Sequence, residues 1–323
     1  MIGNMKYTDN DMCTILLCSH LALGENDGVK PFSLGEWGTF LQKLKVLGVK
    51  PDVVFSQDDT WLNNMSHSEI YKDRVKRLLS RGISLAFALD DMEEQGINLV
   101  TRFSREYPIL LRKKLQHKAP PLLFYSGNLS LANKIGISVV GSRNIDEDGS
   151  RFAKELVEKA VSEELMIFSG GARGVDQISE GTALACGGGA VSFISDSLIS
   201  KIKKKDVNRA LLEQRLLLLS DVKPEVGFSV GRAMNRNKFI YASSYGAFVV
   251  QSDYNKGGTW NGAMESLRNS YTNIFVWDND KYEGNMKLIE NGCIPYNIGN
   301  IKLFDVINNN YTNLTKQQSL FLP

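Results

Sequence analysis

Three glycine-rich phrases carry the residue types that hold anions. Gly141-Ser142-Arg143 follows the apolar run Ile137 to Val140. Ser169-Gly170-Gly171-Ala172-Arg173-Gly174-Val175-Asp176 follows Leu165 to Phe168. Gln251-Ser252-Asp253-Tyr254-Asn255-Lys256-Gly257-Gly258-Thr259 follows Ala247 to Val250. Glycine lets backbone amides approach an anion, and serine, arginine and lysine add donors. The second and third phrases lead straight into helical stretches. Unsatisfied N–H groups and the positive end of the helix dipole favour a phosphate there. A fourth phrase, Asn235-Arg236-Asn237-Lys238, reads as the opening of a helix and brings two cations. Any one glycine turn is common between strand and helix. Several in one sheet register, each with a polar or cationic partner, point to a phosphate-containing ligand. Asp176 sits where it caps its helix. Lys201 to Lys205 reads as a basic, insert-like loop.

Other chemistries are excluded or weakly supported. No GxGxxG follows the first strand and no GxxxxGK[ST] occurs, which argues against a standard NAD enzyme and a motor-type ATPase. The histidines, His20, His67 and His117, all precede the α/β part, so no histidine-based triad can be built within it. Glu265 is the best-placed carboxylate for catalysis and Asp253 the next. Both read more simply as structural or solvent-facing. Cys13, Cys18, Cys186 and Cys293 form no CxxC pair, so no metal site is expected and the thiols read as reduced. No cofactor is implied. Asp9 and Asp11 stand where a signal peptide would carry positive charge, and no apolar run reaches membrane length. A cytoplasmic protein without a membrane partner is the expectation.

The elements that must position these loops follow from periodicity. At roughly 100–200 residues per domain, a chain of 323 residues, 43% hydrophobic and 23% charged, predicts about two domains. Residues 1–98 read as a helical domain. Ser33 to Glu36 forms a capping box before Trp37, Phe40, Leu41, Leu44 and Leu47 at helical spacing. Ser66 to Ser80 is a second amphipathic stretch, ended by Gly82. Residues 99–133 are a basic bridge, broken by Pro120-Pro121. From Gly136, strands at Ile137–Val140, Leu165–Phe168, Ala190–Ile194, Leu216–Leu219, Ala247–Val250 and Ile274–Trp277 alternate with helices at 148–163, 176–186, 236–244 and 259–268. That alternation predicts an α/β fold with a mostly parallel sheet. Ligands of such sheets bind outside the carboxyl ends of the strands. The second domain spans 99–300, and a polar tail spans 301–323.

The phrases VVGSR at 139–143, SGGARGVD at 169–176, NRNK at 235–238 and GGT at 257–259, in that order, resemble the DNA processing protein A family (DprA, also called Smf). YPILLRKKLQHKAPPLLFYSGNLSLANK at 107–134 is similar to the segment that leads into the family's domain. The resemblance covers about 107–280. It implies an extended Rossmann-like domain, here preceded by the small helical one. It also implies single-stranded DNA binding in a basic pocket, homodimerisation, and loading of a RecA-like recombinase during DNA uptake, without catalytic turnover. The implied site residues are Gly141, Ser142, Arg143, Ser169, Gly170, Gly171, Arg173, Gly174, Arg236, Asn237, Lys238, Gly257, Gly258 and Thr259, with Lys256 beside them. Tyr241, Phe239 and Trp260 are the aromatic residues considered for stacking on a base, with core packing favoured for Phe239.

One departure keeps an alternative open. The Gly257-Gly258-Thr259 phrase is closer to nucleotide-binding relatives of the wider Smf/LOG-like group. A nucleotide sensor or nucleotide hydrolase, of a kind that serves phage defence, is therefore the second reading, with Arg143 or Arg236 and Glu265 as its pair. The net charge of only +2, from 38 basic and 36 acidic residues, requires any DNA-binding charge to be focused rather than global.

Overall fold

The computed structural model describes residues 6–24 and 27–309. Two compact units divide the chain, the first formed by residues 1–107, 116–125 and 221–223, the second by 108–115, 126–220 and 224–323.

The first unit begins with five helices, α1 (Asp9–Cys18), α2 (Leu34–Val46), α3 (Thr60–Met65), α4 (Glu69–Leu79) and α5 (Gly82–Glu94). The capping box of α2 forms as its sequence predicts, with Ser33 and Glu36 satisfying each other's backbone amides. Its apolar stripe, Trp37, Phe40 and Leu44, closes on Cys13, Leu17, Trp61, Val75 and Leu78 in one core. Gly82 opens α5 rather than only ending α4, and Gly96, at φ 74°, follows the end of α5. The bridge contributes β1 (Asn98–Thr101), antiparallel to β2 (Leu122–Gly127) from Asn98–Tyr125 to Thr101–Leu122.

The second unit opens with α6 (Ile109–Leu115). The predicted alternation follows: β3 (Gly136–Val140), α7 (Glu147–Ser162), β4 (Met166–Ser169), α8 (Val175–Ala185), β5 (Ala190–Phe193), α9 (Leu198–Ile202), α10 (Lys205–Leu212), β6 (Leu216–Ser220), α11 (Val230–Ala242), β7 (Gly246–Val249), α12 (Gly257–Asn269), β8 (Asn273–Trp277), α13 (Glu283–Glu290) and β9 (Ile294–Tyr296). Its strands lie in the order β6-β5-β4-β3-β7-β8-β9, and every neighbouring pair is parallel. The fold class is thus the predicted α/β with a mostly parallel sheet. The chain builds outward from β3 to β6, then returns across α11 to add β7 on the other side of β3. The sheet order therefore reverses between β3 and β7, and a crevice opens outside their carboxyl ends.

Helix α7 shows how sequence builds these layers. Asp146 accepts from the Gly149 amide at 2.9 Å as its N-cap. Phe152, Ala153, Leu156, Val157 and Ala160 then recur on one face and are buried against Ile137, Val139, Ile167 and Phe248. Phe152 stacks on Trp277 at 4.3 Å. Residues 303–309 are helical, and Leu303 and Ile307 join this same core. The polar tail from Asn310 onward lies outside the described residues.

Two expectations are corrected. Asn235 to Lys238 does not open a helix, because α11 already starts at Val230, where the Ser229 hydroxyl accepts from the Arg232 amide at 3.2 Å. Serine in that place is a strong cap, and it outweighs the loop character of Gly227 and Gly231. Lys201 to Lys205 is not a loop but the junction of α9 and α10. Lys201 turns inward, and its Nζ donates to the Gly171 carbonyl at 2.7 Å.

Among the described residues no helix is long and apolar enough to cross a membrane, and no group of His, Cys, Asp or Glu is placed to hold a metal ion. The four cysteines are free thiols.

Asp146 ties the start of α7 to the β8–α13 loop, accepting from Tyr282 Oη at 2.7 Å and pairing with Lys281 at 2.8 Å. The Lys281 ammonium, the Gly149 amide and the Tyr282 hydroxyl hold its carboxyl down at about 2. A depressed carboxyl stabilises the fold above its unfolded value of about 3.9 and ceases to do so as pH falls through the folded value. The melting temperature of Asp146→Asn should therefore lie below that of the wild type by a constant margin above about pH 5. The margin should shrink toward about pH 2, and thermal melts across that range check it. With Asp146 partly exposed, the margin is modest.

Candidate nucleic-acid interface

The crevice between β3 and β7 is a pocket of about 340 Å³. The loop after β3 supplies Gly141, Ser142, Arg143 and Asn144; the loop after β7 and the start of α12 supply Asp253, Lys256, Gly257, Gly258 and Thr259; α11 closes it with Met234, Arg236 and Asn237. Nine of the predicted site residues thus meet in one place: Gly141, Ser142, Arg143, Arg236, Asn237, Lys256, Gly257, Gly258 and Thr259.

The loops after β3, β4 and β7 lock together through close backbone approach. The Ser142 amide donates to the Gln251 carbonyl at 2.8 Å, so it serves the scaffold rather than a ligand. The Val175 amide donates to the Ser142 carbonyl at 3.2 Å. Gly174, at φ 86°, lies so close that a Cβ there would stand 2.3 Å from the Ser142 oxygen. The third loop is held by Asn237, whose Nδ2 donates to the Gly258 carbonyl at 3.0 Å. Lys256 is the N-cap residue of α12, and no side chain caps the helix. The first-turn amides of α12 therefore face the pocket with the positive end of its dipole behind them.

Arg236 is the centre of the site. It is 3% exposed, yet its Nε and Nη1 have no hydrogen-bond partner. Its guanidinium lies across Gly170, where a Cβ would stand 1.4 Å from Nη1 and 2.7 Å from Asp176 Oδ2. Burial pulls the Arg236 guanidinium below its ordinary value, while Asp176 and Glu180 oppose that. A guanidinium keeps its charge in such a setting. Asp176 is not the cap of α8, since Gly174 holds that position without a side-chain bond. It is instead the buried countercharge of Arg236. Burial raises its carboxyl, and Arg236 acts in the other direction.

The remaining predicted residues do not line the pocket. Ser169 is fully buried and donates to the Val139 carbonyl at 3.1 Å. Gly170 forms the floor under Arg236, and Gly171 packs beside Ser192 and Lys201. The Gly171 amide donates to Glu180 Oε1 at 2.8 Å, which also accepts from Ser192 Oγ at 2.8 Å. Arg173 and Gly174 border a neighbouring shallow concavity that shares Arg143 and Asn144, with Arg173 donating to Asn144 Oδ1 at 2.9 Å. Lys238 points elsewhere, to Asn235 Oδ1 at 2.6 Å and over the Phe239 ring.

Of the aromatic residues considered, Tyr241, Phe239 and Trp260 are 1%, 2% and 6% exposed and belong to the core, although Tyr241 reaches the pocket wall. Sequence reasoning missed Phe228, which lines the pocket with its ring 5.3 Å from the Arg143 guanidinium. An aromatic residue in the glycine-containing loop after a parallel strand was the available signal. Glu265, two turns into α12, does not line the pocket, whereas Asp253 does.

A family model described as DNA recombination-mediator protein A matches residues 98–302. DNA processing protein DprA of Bacillus subtilis is 28% identical over 208 residues, 62% of this chain and 68% of that relative. Protein Smf of Escherichia coli is 27% identical over 215 residues, 65% of this chain and 57% of that relative. The match therefore spans little more than half of the Escherichia coli protein and about two thirds of the Bacillus one. Among solved structures, DprA from Streptococcus pneumoniae superposes with a TM-score of 0.67 at 20% identity, covering 90% of this chain and 95% of that one. DNA processing protein A from Helicobacter pylori, whose structure was described for its single-stranded DNA binding mode, superposes with a TM-score of 0.52 at 21% identity, covering 68% and 96%. At these identities the two structures establish a shared fold.

Two variants test the floor of the site. Gly170→Ala should push the Arg236 guanidinium from its seat and lower stability by about 1–3 kcal/mol, read by denaturant unfolding; an unchanged midpoint refutes the packing argument. Burial, reinforced by Asp176, pushes the Glu180 carboxyl up to about 7. A raised carboxyl costs stability as pH rises from its unfolded value of about 4.3 through the folded one. Gln in its place still accepts both bonds at Oε1 and does not ionise. Glu180→Gln should match wild type near about pH 4 and become the more stable of the two by about pH 7, in melts across that range.

Proposed function

The chain belongs to the DNA recombination-mediator protein A family, and from that premise we propose that the pocket between β3 and β7 holds the phosphates of a single DNA strand. The observation that carries this is Arg236: a buried guanidinium with incomplete compensation, on the wall of a cavity that the uncapped start of α12 also lines. A buried cation is stabilised by opposite charge, and an anion in the cavity adds to what Asp176 supplies. Gly258, Thr259 and Asn237 shape the seat, while Arg143 and Lys256 stand at its sides. None of these groups reads base identity, which suits binding to any sequence.

The protein then acts by binding, without turnover. It presents single-stranded DNA to a RecA-like recombinase, works as a homodimer and resides in the cytoplasm. One observation favours a second reading. The cavity of about 340 Å³ lies within the range of small-ligand pockets, which suits a free nucleotide sensed at the same phosphate seat. A hydrolase built on Glu265 is disfavoured, because that residue is absent from the pocket wall.

Titration of a labelled dT oligonucleotide across a salt series, beside a free mononucleotide, tests the proposal. The logarithm of the affinity should fall linearly with the logarithm of salt, by about 0.7 per neutralised phosphate. Arg143→Ala and Lys256→Ala should each weaken binding for all sequences and reduce the slope by about one contact. Binding of the mononucleotide without the oligonucleotide selects the second reading. Unchanged affinity in both variants removes this pocket from the DNA path.

A further inference from the structure

A group of interacting charges lies beneath the phosphate seat. Asp176 and Glu180 stand one turn apart on the same face of α8. Arg236 of α11 acts on both, and Lys201 of α9 faces Glu180. Arg143, from the loop after β3, acts on Asp176 and Arg236, and Asp196 pairs with Lys201 at 3.9 Å. Three carboxylates thus oppose three cations. A phosphate added against Arg236 leaves an excess of negative charge, and the excess is least screened where the groups are buried.

Glu180 is the member able to relieve it. Asp176 adjoins Arg236, whose charge favours its ionised form. Glu180 is held instead by neutral donors, the Gly171 amide and Ser192 Oγ, both at 2.8 Å and both on Oε1. A proton on Oε2 leaves both bonds intact. Burial and Asp176 already raise this carboxyl to about 7, so it gains a proton near neutrality. The path from ligand to carboxyl is also short. Gly170 underlies the Arg236 guanidinium, and the next residue, Gly171, bonds Glu180 through its amide and Lys201 through its carbonyl.

We propose that anion binding at Arg236 is coupled to uptake of a proton by Glu180, so that the affinity of the site for a DNA strand falls as pH rises through neutrality. The inference rests on the DNA reading above and adds to it a regulating group that touches no ligand. The sign follows from linkage. A bound phosphate raises the proton affinity of Glu180, and by reciprocity a proton on Glu180 raises the affinity for phosphate. Below about pH 6 the proton is already in place and none is taken up. Above the raised value of the bound state both forms are ionised, and the affinity levels off at its lower limit. If binding raises the Glu180 value by about one unit, the two limits differ about tenfold.

The test is calorimetric titration of a dT oligonucleotide without terminal phosphates into the full chain. It is run at pH 6, 7.5 and 8.5, in two buffers of different ionisation enthalpy, on wild type and Glu180→Gln. Internal phosphodiesters do not titrate in this range. The histidines, His20, His67 and His117, lie in the first unit. Lys114, pulled down to about 7 by burial, donates to the Ser244 carbonyl behind α11. Their contributions are common to both proteins, so the difference between the two is the readout. Relative to the variant, wild type should take up about half a proton per bound strand at pH 7.5 and little at pH 6. Its affinity should fall about sevenfold more than that of the variant between pH 6 and 8.5. Equal proton uptake and parallel affinity profiles in the two proteins overturn the coupling while leaving DNA binding standing. Absence of oligonucleotide binding by wild type at every pH overturns the DNA reading and the coupling with it.

Discussion

The guanidinium of Arg236 is buried beside Asp176, and much of the surrounding structure accommodates it. A charge taken out of water is tolerated only where opposite charge or directed dipoles replace its hydration. Here the replacement is incomplete, since Nε and Nη1 lack partners. Space for the group comes from Gly170, where any side chain would collide with Nη1. Opposite charge comes from Asp176, and Glu180 and Lys201 brace the loop between them through Gly171. The glycine-rich phrase after β4 therefore supports the site from beneath. It differs in role from the phrase before α12, whose amides border the cavity.

Topology explains why residues distant in sequence meet around this group. The strands grow outward from β3 in one direction and then in the other, so the loops after β3 and β7 diverge and leave a crevice between them. Helix α11 crosses from β6 to β7 and brings Arg236 and Asn237 to the crevice as it passes. Asn237 binds the start of α12 and Tyr241 approaches it, so one face of α11 both supplies the buried cation and aligns the neighbouring helix. A shift of α11 would move both parts of the site together.

The fold was legible in the sequence wherever burial imposed a pattern. Strands β3 to β7 are buried along their whole length, which gives the short continuous apolar runs read from the chain. Glycine phrases at their ends marked the ligand edge. The start of α11 was not legible, because Gly227, Ser229 and Gly231 have loop character and only the hydrogen bond from the Arg232 amide shows that Ser229 caps a helix. That error hid Phe228, which lies immediately before the cap. It also misplaced Lys238, whose neighbours in sequence reach the pocket while its own direction along α11 does not. The inward turn of Lys201 depends on a contact thirty residues away with Gly171, and no local spacing encodes it.

The near-neutral chain is consistent with these local arrangements. Around the crevice, Arg143, Arg236 and Lys256 face Asp176 and Asp253, so the positive excess is small even at the site itself. The carboxylates are needed, because Arg236 could not be buried without a countercharge. They also limit how strongly an isolated phosphate is attracted. A site of this kind gains less from charge than a strongly basic groove does, and depends more on several weak contacts made at once. On the proposed reading the first-turn amides of α12 and the Arg236 guanidinium are two such contacts, converging on one cavity from different elements.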